Sequence, residues 1–384
     1  MNATRERIPF TKPSFPKFEY VKRYRRVLHA MEAMGLDAVL VASQSHLQYL
    51  TGYSGVYFAP CPFILSPGRA PTFIVRAFDE EAARACSHID EIIPFLHQHD
   101  ALEICADVLR RNALHDKRVG LELGRWSLAP NDVAVLQAKL PELKIFDATA
   151  LVTRVAAVKS ELEVEALRAA AATTDLAIAA FHGSIREDVT EVEVAAAIRS
   201  AVAAAGGELS WSINLLFGDR LRLPHGMPAR NPLGMNEAAF TELSGTKHAY
   251  HSPLCRSAVL GRHPGLESLH AIAEEALEAA LDAIKPGTTA GAVNAAARKV
   301  LERHGRSEAL RARTGYQIGI HWVERGDLSL EPEVEDILET GMSFHIPLIL
   351  FDEVGRQIGC SDSFVLTEKG AEILSKTPRA LFRA

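Results

Sequence analysis

One stretch of the sequence, PHGMPARNPLGMNEAAFTELSGTKHAYHSPLCRSAVLG at residues 224–261, decides the fold of the second half of the chain. It opens with Pro and Gly around His225 and continues into the apolar runs EAAFTELSG and SAVLG. Apolar runs of this length, bounded by turn residues, predict β-strands. The runs SWSINLLFG, MSFHIPLILF and DSFVLTE predict further strands, of the antiparallel type, before and after this stretch.

Long Ala-rich helical patterns lie in groups before and between these strands. The first, VKSELEVEALRAAAATTDLAIAAFHGSI, has Ser160 at the N-cap position and Glu163 at the matching position of a capping box. Three more helices are predicted in EVEVAAAIRSAVAAAGG, LESLHAIAEEALEAALDAIKPG and TTAGAVNAAARKVLERHG. Helices and strands that segregate in this way indicate an α+β domain, which we assign to residues 156–384.

The preceding residues, 1–155, have a different pattern. A helix is predicted in YVKRYRRVLHAMEAMG, ending at Gly35, and short strands in LDAVLVAS, CPFILS, PTFIVRA, KRVGLEL and LKIFDAT. The segment SQSHLQYLTGYSG between the first two strands is rich in turn residues and predicts a loop. This rhythm predicts a smaller α/β domain.

Composition excludes several classes of protein. The 384 residues are 48% hydrophobic and 23% charged, as in an ordinary globular protein, and the net charge of -6 disfavours nucleic-acid binding. The sequence contains no run of about 18 apolar residues, so no membrane span is predicted, and the first twenty residues lack the apolar core of a signal peptide. The five cysteines form no CxxC pair, which favours reduced thiols and a cytoplasmic protein.

Several separate motifs carry a resemblance to a known family. Together with the stretch at 224–261, the motifs TGYQIGIHW, ETGMSFHIPLIL and IGCSDSFVLTEKG resemble the pita-bread fold of methionine aminopeptidase, Xaa-Pro aminopeptidase and creatinase. YLTGYSG and VKSELEVEALRAAA resemble stretches of prolidase-like members. The resemblance implies a C-terminal pita-bread domain preceded by a creatinase-type N-terminal domain.

The peptidases of that family bind two metal ions with two Asp, one His and two Glu side chains. The resemblance assigns these five positions, in chain order, to Glu242, Pro253, Tyr316, Pro347 and Ser361. Two neighbouring hard cations need several anionic oxygens, and proline has no side-chain donor. With only Glu242, and Asp362 as a displaced neighbour, to supply a carboxylate, we expect no metal site and no cofactor.

Among metal-free members, the ectoine hydrolases are the most similar. TELSG, YHSPLCRS, RTGYQIG and SFH echo their motifs, whereas HGMPARNP and CSDS depart from them. The resemblance implies a metal-independent hydrolase that opens a C–N bond of a small cyclic amidine or related compound. An Xaa-Pro-type aminopeptidase or dipeptidase, and a non-catalytic binding member of the superfamily, are the alternatives.

Hydrolysis of an amidinium needs a carboxylate that attacks or activates water, and a proton shuttle to the leaving nitrogen. We assign these roles to Glu242, as nucleophile or base, and to His225, because histidine is the side chain most often used as a proton shuttle near neutral pH. Pattern alone leaves a solvent-facing strand residue equally open for Glu242 and favours a plain loop residue for His225. Their family positions favour catalysis.

The sequence offers further candidates for substrate binding. We expect one of Tyr250 and His251 to face the pocket, since adjacent strand residues point to opposite faces. Tyr316 is either packed or in the site, and Asp362 either holds a substrate cation or caps a strand. His345 is kept as a substrate contact, although a lone His in an apolar strand is more often a satisfied core residue.

Tyr53 is a candidate in the first domain, within an aromatic loop that also holds Tyr49, Tyr57 and Phe58. In dimers of the family, the first domain of one subunit approaches the active site of the other. The resemblance therefore implies a homodimer in which Tyr53 closes the pocket of its partner around a small-molecule substrate, with core packing as the simpler interpretation of these rings.

Overall fold

The computed structural model describes residues 12–55, 60–210, 212–322, 324 and 326–384, and the chain divides into two compact units between Ala156 and Ala157. This division lies one residue beyond the boundary predicted from the sequence. The shift reflects the helix at Thr149–Ala157, which continues the first unit through the predicted junction.

The first unit is built on a six-stranded mixed sheet with the order β4-β3-β2-β1-β5-β6, in which β1–β2 and β2–β3 are antiparallel and the other pairs parallel. Its elements are α1 Lys17–Ala33, β1 Ala38–Val41, α2 Gln44–Thr51, β2 Phe63–Leu65, β3 Thr72–Arg76, α3 Glu80–Cys86, β4 Glu91–Phe95, α4 Ala101–Arg111, β5 Arg118–Leu121, α5 Pro130–Lys139, β6 Lys144–Asp147 and α6 Thr149–Ala157.

Helix α2 corrects the prediction of a loop in this segment. The buried carboxylate of Glu122 accepts hydrogen bonds from the backbone N–H groups of Ala42 and Ser43, at 2.8 and 2.7 Å, and pairs with His46 in the first turn. A carboxylate at this end satisfies unpaired N–H groups and complements the helix dipole. Gly52, with φ of +83°, ends the helix.

The second unit repeats one pattern twice, a pair of helices followed by a long β-hairpin. Its elements are α7 Glu161–Ser184, α8 Glu191–Ala204, β7 Glu208–Leu209, β8 Asn214–Phe217, β9 Glu237–Lys247, β10 Tyr250–Leu260, α9 Pro264–Ala283, α10 Ala290–Arg303, β11 Gly315–Gln317, β12 Ser329–Leu330, β13 Ser343–Phe351, β14 Gln357–Thr367, β15 Gly370–Ile373 and β16 Phe382–Arg383. The capping box predicted at the start of α7 is confirmed, since Ser160 and Glu163 bond each other's backbone N–H groups.

Two five-stranded sheets carry the site of this unit. One has the order β16-β10-β9-β7 with β8 paired to β9, and the other the order β12-β11-β13-β14-β15. Apolar side chains of α7 and α8 pack on the first sheet, and those of α9 and α10 form a core with strands of both sheets. Strands β10 and β14 are joined by hydroxyl groups, including Ser257 to Gly359 and Ser363 to Pro253.

None of the helices in the described part of the chain combines the length and apolar character that crossing a membrane requires.

Candidate active site

A cavity of about 370 Å³ lies in the second unit, a volume suited to a small molecule. Side chains from the loop after β8, from the β9–β10 hairpin and from the segment that begins at β11 meet around it. Its described lining residues are Ser210, Ser212, Asn214, His225, Met227, Glu242, His251, Tyr316, His321 and Trp322.

Glu242 is the acidic side chain among those lining residues. It lies in the middle of β9, directly opposite Asn214 on β8 and Cys255 on β10, and is 7% exposed. Burial disfavours its charged form and raises the pKa of its carboxyl from 4.5 to about 7, although a hydrogen bond with the Asn214 side chain opposes part of the rise. The carboxyl is therefore poised to exchange a proton near neutral pH.

His225 reaches the same cavity from a tight turn. Its φ of 61° places it in the left-handed region, and the turn is closed by the Gly226 N–H, which donates to Leu223 O at 2.9 Å. A non-glycine residue in this conformation is uncommon, although His tolerates it better than most side chains. The residue is exposed and lines the cavity, so its imidazole is in reach of solvent and of a bound molecule.

His251 and His321 form a second polar wall. Their rings stack with centroids 6.3 Å apart, and His251 Nδ1 lies 2.8 Å from Ala249 O. Burial is the main cause that lowers the pKa of His251 to about 4, so it is neutral at pH 7. Tyr250, the neighbour on β10, is directed away from the cavity, and its hydroxyl donates to Glu163 at the start of α7. Of this pair, the structure brings His251 to the site and leaves Tyr250 in a structural contact.

Tyr316 lines the cavity at one end of a chain of hydrogen bonds. Its Oη lies 2.9 Å from Trp322 Nε1 and 2.9 Å from His345 Nδ1. His345 Nε2 lies 2.7 Å from Ser361 Oγ, and that oxygen accepts from the Cys255 N–H at 2.7 Å. His345 is completely buried behind Tyr316, which corrects its prediction as a substrate contact.

Asp362 is likewise not part of the cavity lining. Its carboxylate lies 3.3 Å from Arg256 and 2.5 Å from Arg379, so the structure supports neither a substrate role nor a capping role. Arg256, 0% exposed, also donates to the carbonyl groups of Thr377 and Pro378. A buried guanidinium needs such a set of acceptors, and Asp362 supplies its charge partner.

Tyr53 belongs to the first unit. It is 5% exposed, its hydroxyl lies 3.5 Å from Gly55 O, and its ring meets Phe73 edge to face at 6.1 Å. Within its own unit it is a packed aromatic residue. Tyr57 and Phe58 of the predicted aromatic loop lie outside the described residues.

The sequence did not single out several residues of the lining. Asn214 was hidden in the apolar run SWSINLLFG, and only the pairing of β8 with β9 places it beside Glu242. His321 and Trp322 lie five and six positions after Tyr316 in the motif TGYQIGIHW, where their closeness to a site residue was a usable signal. Ser210, Ser212 and Met227 have no such signal.

Comparisons with known proteins identify the class to which this two-domain chain belongs. Residues 165–368 match metallopeptidase family M24, and residues 23–158 match the creatinase/prolidase N-terminal domain. The chain therefore belongs to the M24 family, with the predicted creatinase-type and pita-bread domains.

Three similar proteins illustrate the range of this family. The chain is 33% identical to the uncharacterized hydrolase/peptidase y4tM of Sinorhizobium fredii, covering 96% of this chain and 98% of that protein. It is 28% identical to the ectoine hydrolase of Halomonas elongata, covering 98% of each. The crystal structure of a prolidase from Thermococcus sibiricus has the same fold, with a TM-score of 0.86 at 20% identity over 96% of this chain and 100% of that one.

The family name implies a metal centre, and the residues at the five matched positions do not fit one. Pro253 and Pro347 have no side-chain donor, while Tyr316 and Ser361 are bonded to His345. Glu242 is the acidic residue that remains of the set. In the described part of the chain, no group of three or more His, Cys, Asp or Glu side chains is arranged to hold a metal ion.

Proposed function

We propose that this M24 hydrolase opens a C–N bond in a small cyclic amidine or related compound without a metal ion, as an ectoine hydrolase does. One observation carries the proposal: Glu242 is buried in a small cavity, with a carboxyl pKa of about 7, in a site whose metal-ligand positions hold other side chains. A carboxyl tuned to this range can act as base or nucleophile at neutral pH without a Lewis acid.

The charge of the cavity favours a cationic substrate. The described lining residues include no Lys or Arg, and His251 is neutral at pH 7, so the lining offers ionised Glu242 no permanently charged cationic partner. An amidinium supplies that partner, lowers the cost of ionising Glu242 and presents an electrophilic carbon to it. The Asn214 side chain faces the same space and can accept or donate a hydrogen bond to a ring nitrogen.

The reaction adds one water molecule across a C–N bond. Either Glu242 removes a proton from water as the oxygen bonds to the amidine carbon, or its own oxygen attacks and water later releases the product. The bond to one ring nitrogen then breaks, and that nitrogen takes a proton from His225 as it leaves. The new hydroxyl oxygen loses its proton to solvent as the carbonyl forms, and Glu242 returns its proton to His225. The product is one ring-opened molecule that carries an amide and an amine.

The experiment is a panel of ectoine, creatine and an Xaa-Pro dipeptide, each incubated with the purified protein with and without a chelator. We expect turnover of the cyclic amidine, unaffected by chelation, and a loss of about 10²–10⁴ in rate for Glu242→Gln. Cleavage of only the dipeptide, abolished by the chelator, would establish the peptidase instead. No turnover of any compound would favour a non-catalytic binding member.

We also propose that the protein acts as a homodimer on its small-molecule substrate in the cytoplasm. All five cysteines are free thiols, which is the usual state in a reducing compartment. The dimer rests on resemblance to the family.

A further inference from the structure

A chain of hydrogen bonds runs behind Tyr316, and each of its two ends is an N–H group that can donate a hydrogen bond but cannot accept one. At one end is the backbone N–H of Cys255, which donates to Ser361 Oγ, and at the other the indole N–H of Trp322, which donates to Tyr316 Oη. Between them lie the Ser361–His345 contact at 2.7 Å and the His345–Tyr316 contact at 2.9 Å. The direction of these two inner bonds decides what Tyr316 presents to the cavity.

The hydrogens of this chain can be counted. Burial, together with the charge of Arg256, lowers the pKa of His345 to about 3, so its ring carries one N–H at neutral pH. Ser361, His345 and Tyr316 then contribute three hydrogens to two inner bonds, and one hydrogen must be donated outside the chain. It cannot come from His345, because both ring nitrogens are already engaged.

The extra hydrogen must therefore be donated outside the chain by the hydroxyl of Ser361 or by that of Tyr316, and these two hydroxyls face different acceptors. Ser361 is fully buried, and the group beside its hydroxyl outside the chain is the Cys255 thiol, whose sulfur is a weak acceptor. Tyr316 opens on the cavity that holds Glu242, where a carboxylate, water or substrate oxygen accepts strongly. Either direction gives both inner bonds a nitrogen or oxygen acceptor, so the acceptor outside the chain decides, and donation from Tyr316 into the cavity is favoured.

We infer that Ser361 donates to His345 Nε2, that His345 Nδ1–H donates to Tyr316, and that Tyr316 is thereby held as a hydrogen-bond donor aimed into the cavity. Its catalytic use rests on the proposed function. When an oxygen has bonded to the amidine carbon, it gains partial negative charge as it loses its proton and becomes the carbonyl of the product amide, and the Tyr316 hydroxyl donates a hydrogen bond to it. Tyr316 keeps its own proton in this step. His345 and Ser361 are positioning residues.

The first test needs no substrate. In protein labelled with ¹⁵N-histidine, the resonances of His345, assigned by their loss in His345→Gln, should show a proton on Nδ1 and an unprotonated Nε2. A ring protonated on Nε2 would mean that Tyr316 donates to His345, and the inference would be wrong.

The second test separates positioning from simple packing. Ser361→Ala removes the donor to Nε2, so the Nε2–H form of His345 becomes populated and kcat falls about 10–100-fold. Ser361→Thr keeps a hydroxyl and should restore both. Ser363→Ala is the matched control, because Ser363 is an equally buried serine on β14 that bonds Pro253 O at 2.7 Å outside this chain. If Ser363→Ala changed the tautomer of His345 and kcat as much as Ser361→Ala does, the positioning of Tyr316 through Ser361 and His345 would be refuted.

The third test is Tyr316→Phe, measured on whichever compound of the panel the wild type hydrolyses. Loss of one preorganised donor should lower kcat about 10²–10³-fold with little change in KM. An unchanged kcat would overturn the catalytic use. A wild type that hydrolyses no amidine would instead refute the proposed function, while the tautomer of His345 would still decide the direction of the hydrogen bonds.

Discussion

The raised pKa of Glu242 has a consequence for stability that can be measured without a substrate. Its carboxyl titrates near 7 in the folded protein and near 4.5 in the unfolded chain. Between these values the folded state holds the proton more tightly, so the free energy of unfolding falls as the pH rises through this window. The shift corresponds to about 3 kcal/mol, which is fully present below pH 4.5 and lost above pH 7.

The perturbation is Glu242→Gln, which keeps the shape of the protonated carboxyl and cannot ionise. Relative to the wild type, the variant should be more stable by about 1 kcal/mol at pH 5 and by about 3 kcal/mol at pH 8. Both proteins are melted in a calorimeter at steps from pH 5 to pH 8. The difference between their melting temperatures should widen by several degrees as the pH rises. Taking the difference between the two proteins cancels all other titrating groups.

Glu267→Gln is the control. Hydrogen bonds from Arg383 and from the backbone of His263 lower the pKa of Glu267 to about 2, so it is ionised throughout this window. The difference in melting temperature between Glu267→Gln and the wild type should be constant above about pH 6. Below that pH it should change in the direction opposite to the change for Glu242→Gln. A gap for Glu242→Gln that is also flat from pH 5 to pH 8 would show that its carboxyl is already ionised at pH 5, and the mechanism built on its tuning would fail.

Three further predictions concern activity and assembly. If ionised Glu242 is the base or nucleophile, kcat/KM should rise with pH along a limb centred near pH 7, and a rate already constant from pH 5 upward would exclude it. His225→Ala should lower the rate about 10²–10⁴-fold. In the double variant it should add little to the loss from Glu242→Gln, because the effects of groups in one catalytic unit are not additive, and fully multiplicative losses would mean separate roles. Light scattering should give a mass near twice 41.9 kDa, and a single-chain mass at working concentration would count against the dimer.

The sequence predicts the parts of this fold that local rules control. Ser160 and Glu163 mark the start of α7 because a capping box is local, and the β9 and β10 runs are bounded by their own turn residues. Helix α2 was missed because its first turn depends on Glu122, 76 residues beyond His46. No pattern within residues 43–55 contains that partner.

The site follows the same division. Family spacing pointed to Glu242 and His225, and both line the cavity. Strand alternation cannot say which face of β13 or β14 meets the cavity, so His345 and Asp362 were expected there and lie elsewhere. Asn214 escaped notice because a cross-strand register, not a sequence pattern, sets it beside Glu242.

Arg256 also constrains the order in which the chain can fold. Its guanidinium is buried against carbonyl groups at Thr377 and Pro378, which lie 121 and 122 residues further along the chain. During synthesis the arginine emerges long before these acceptors exist, and burial of an unsatisfied cation is strongly unfavourable. The sheet around β10 therefore cannot close in its native form until the last few residues have left the ribosome. The first unit, which needs none of them, is free to fold earlier.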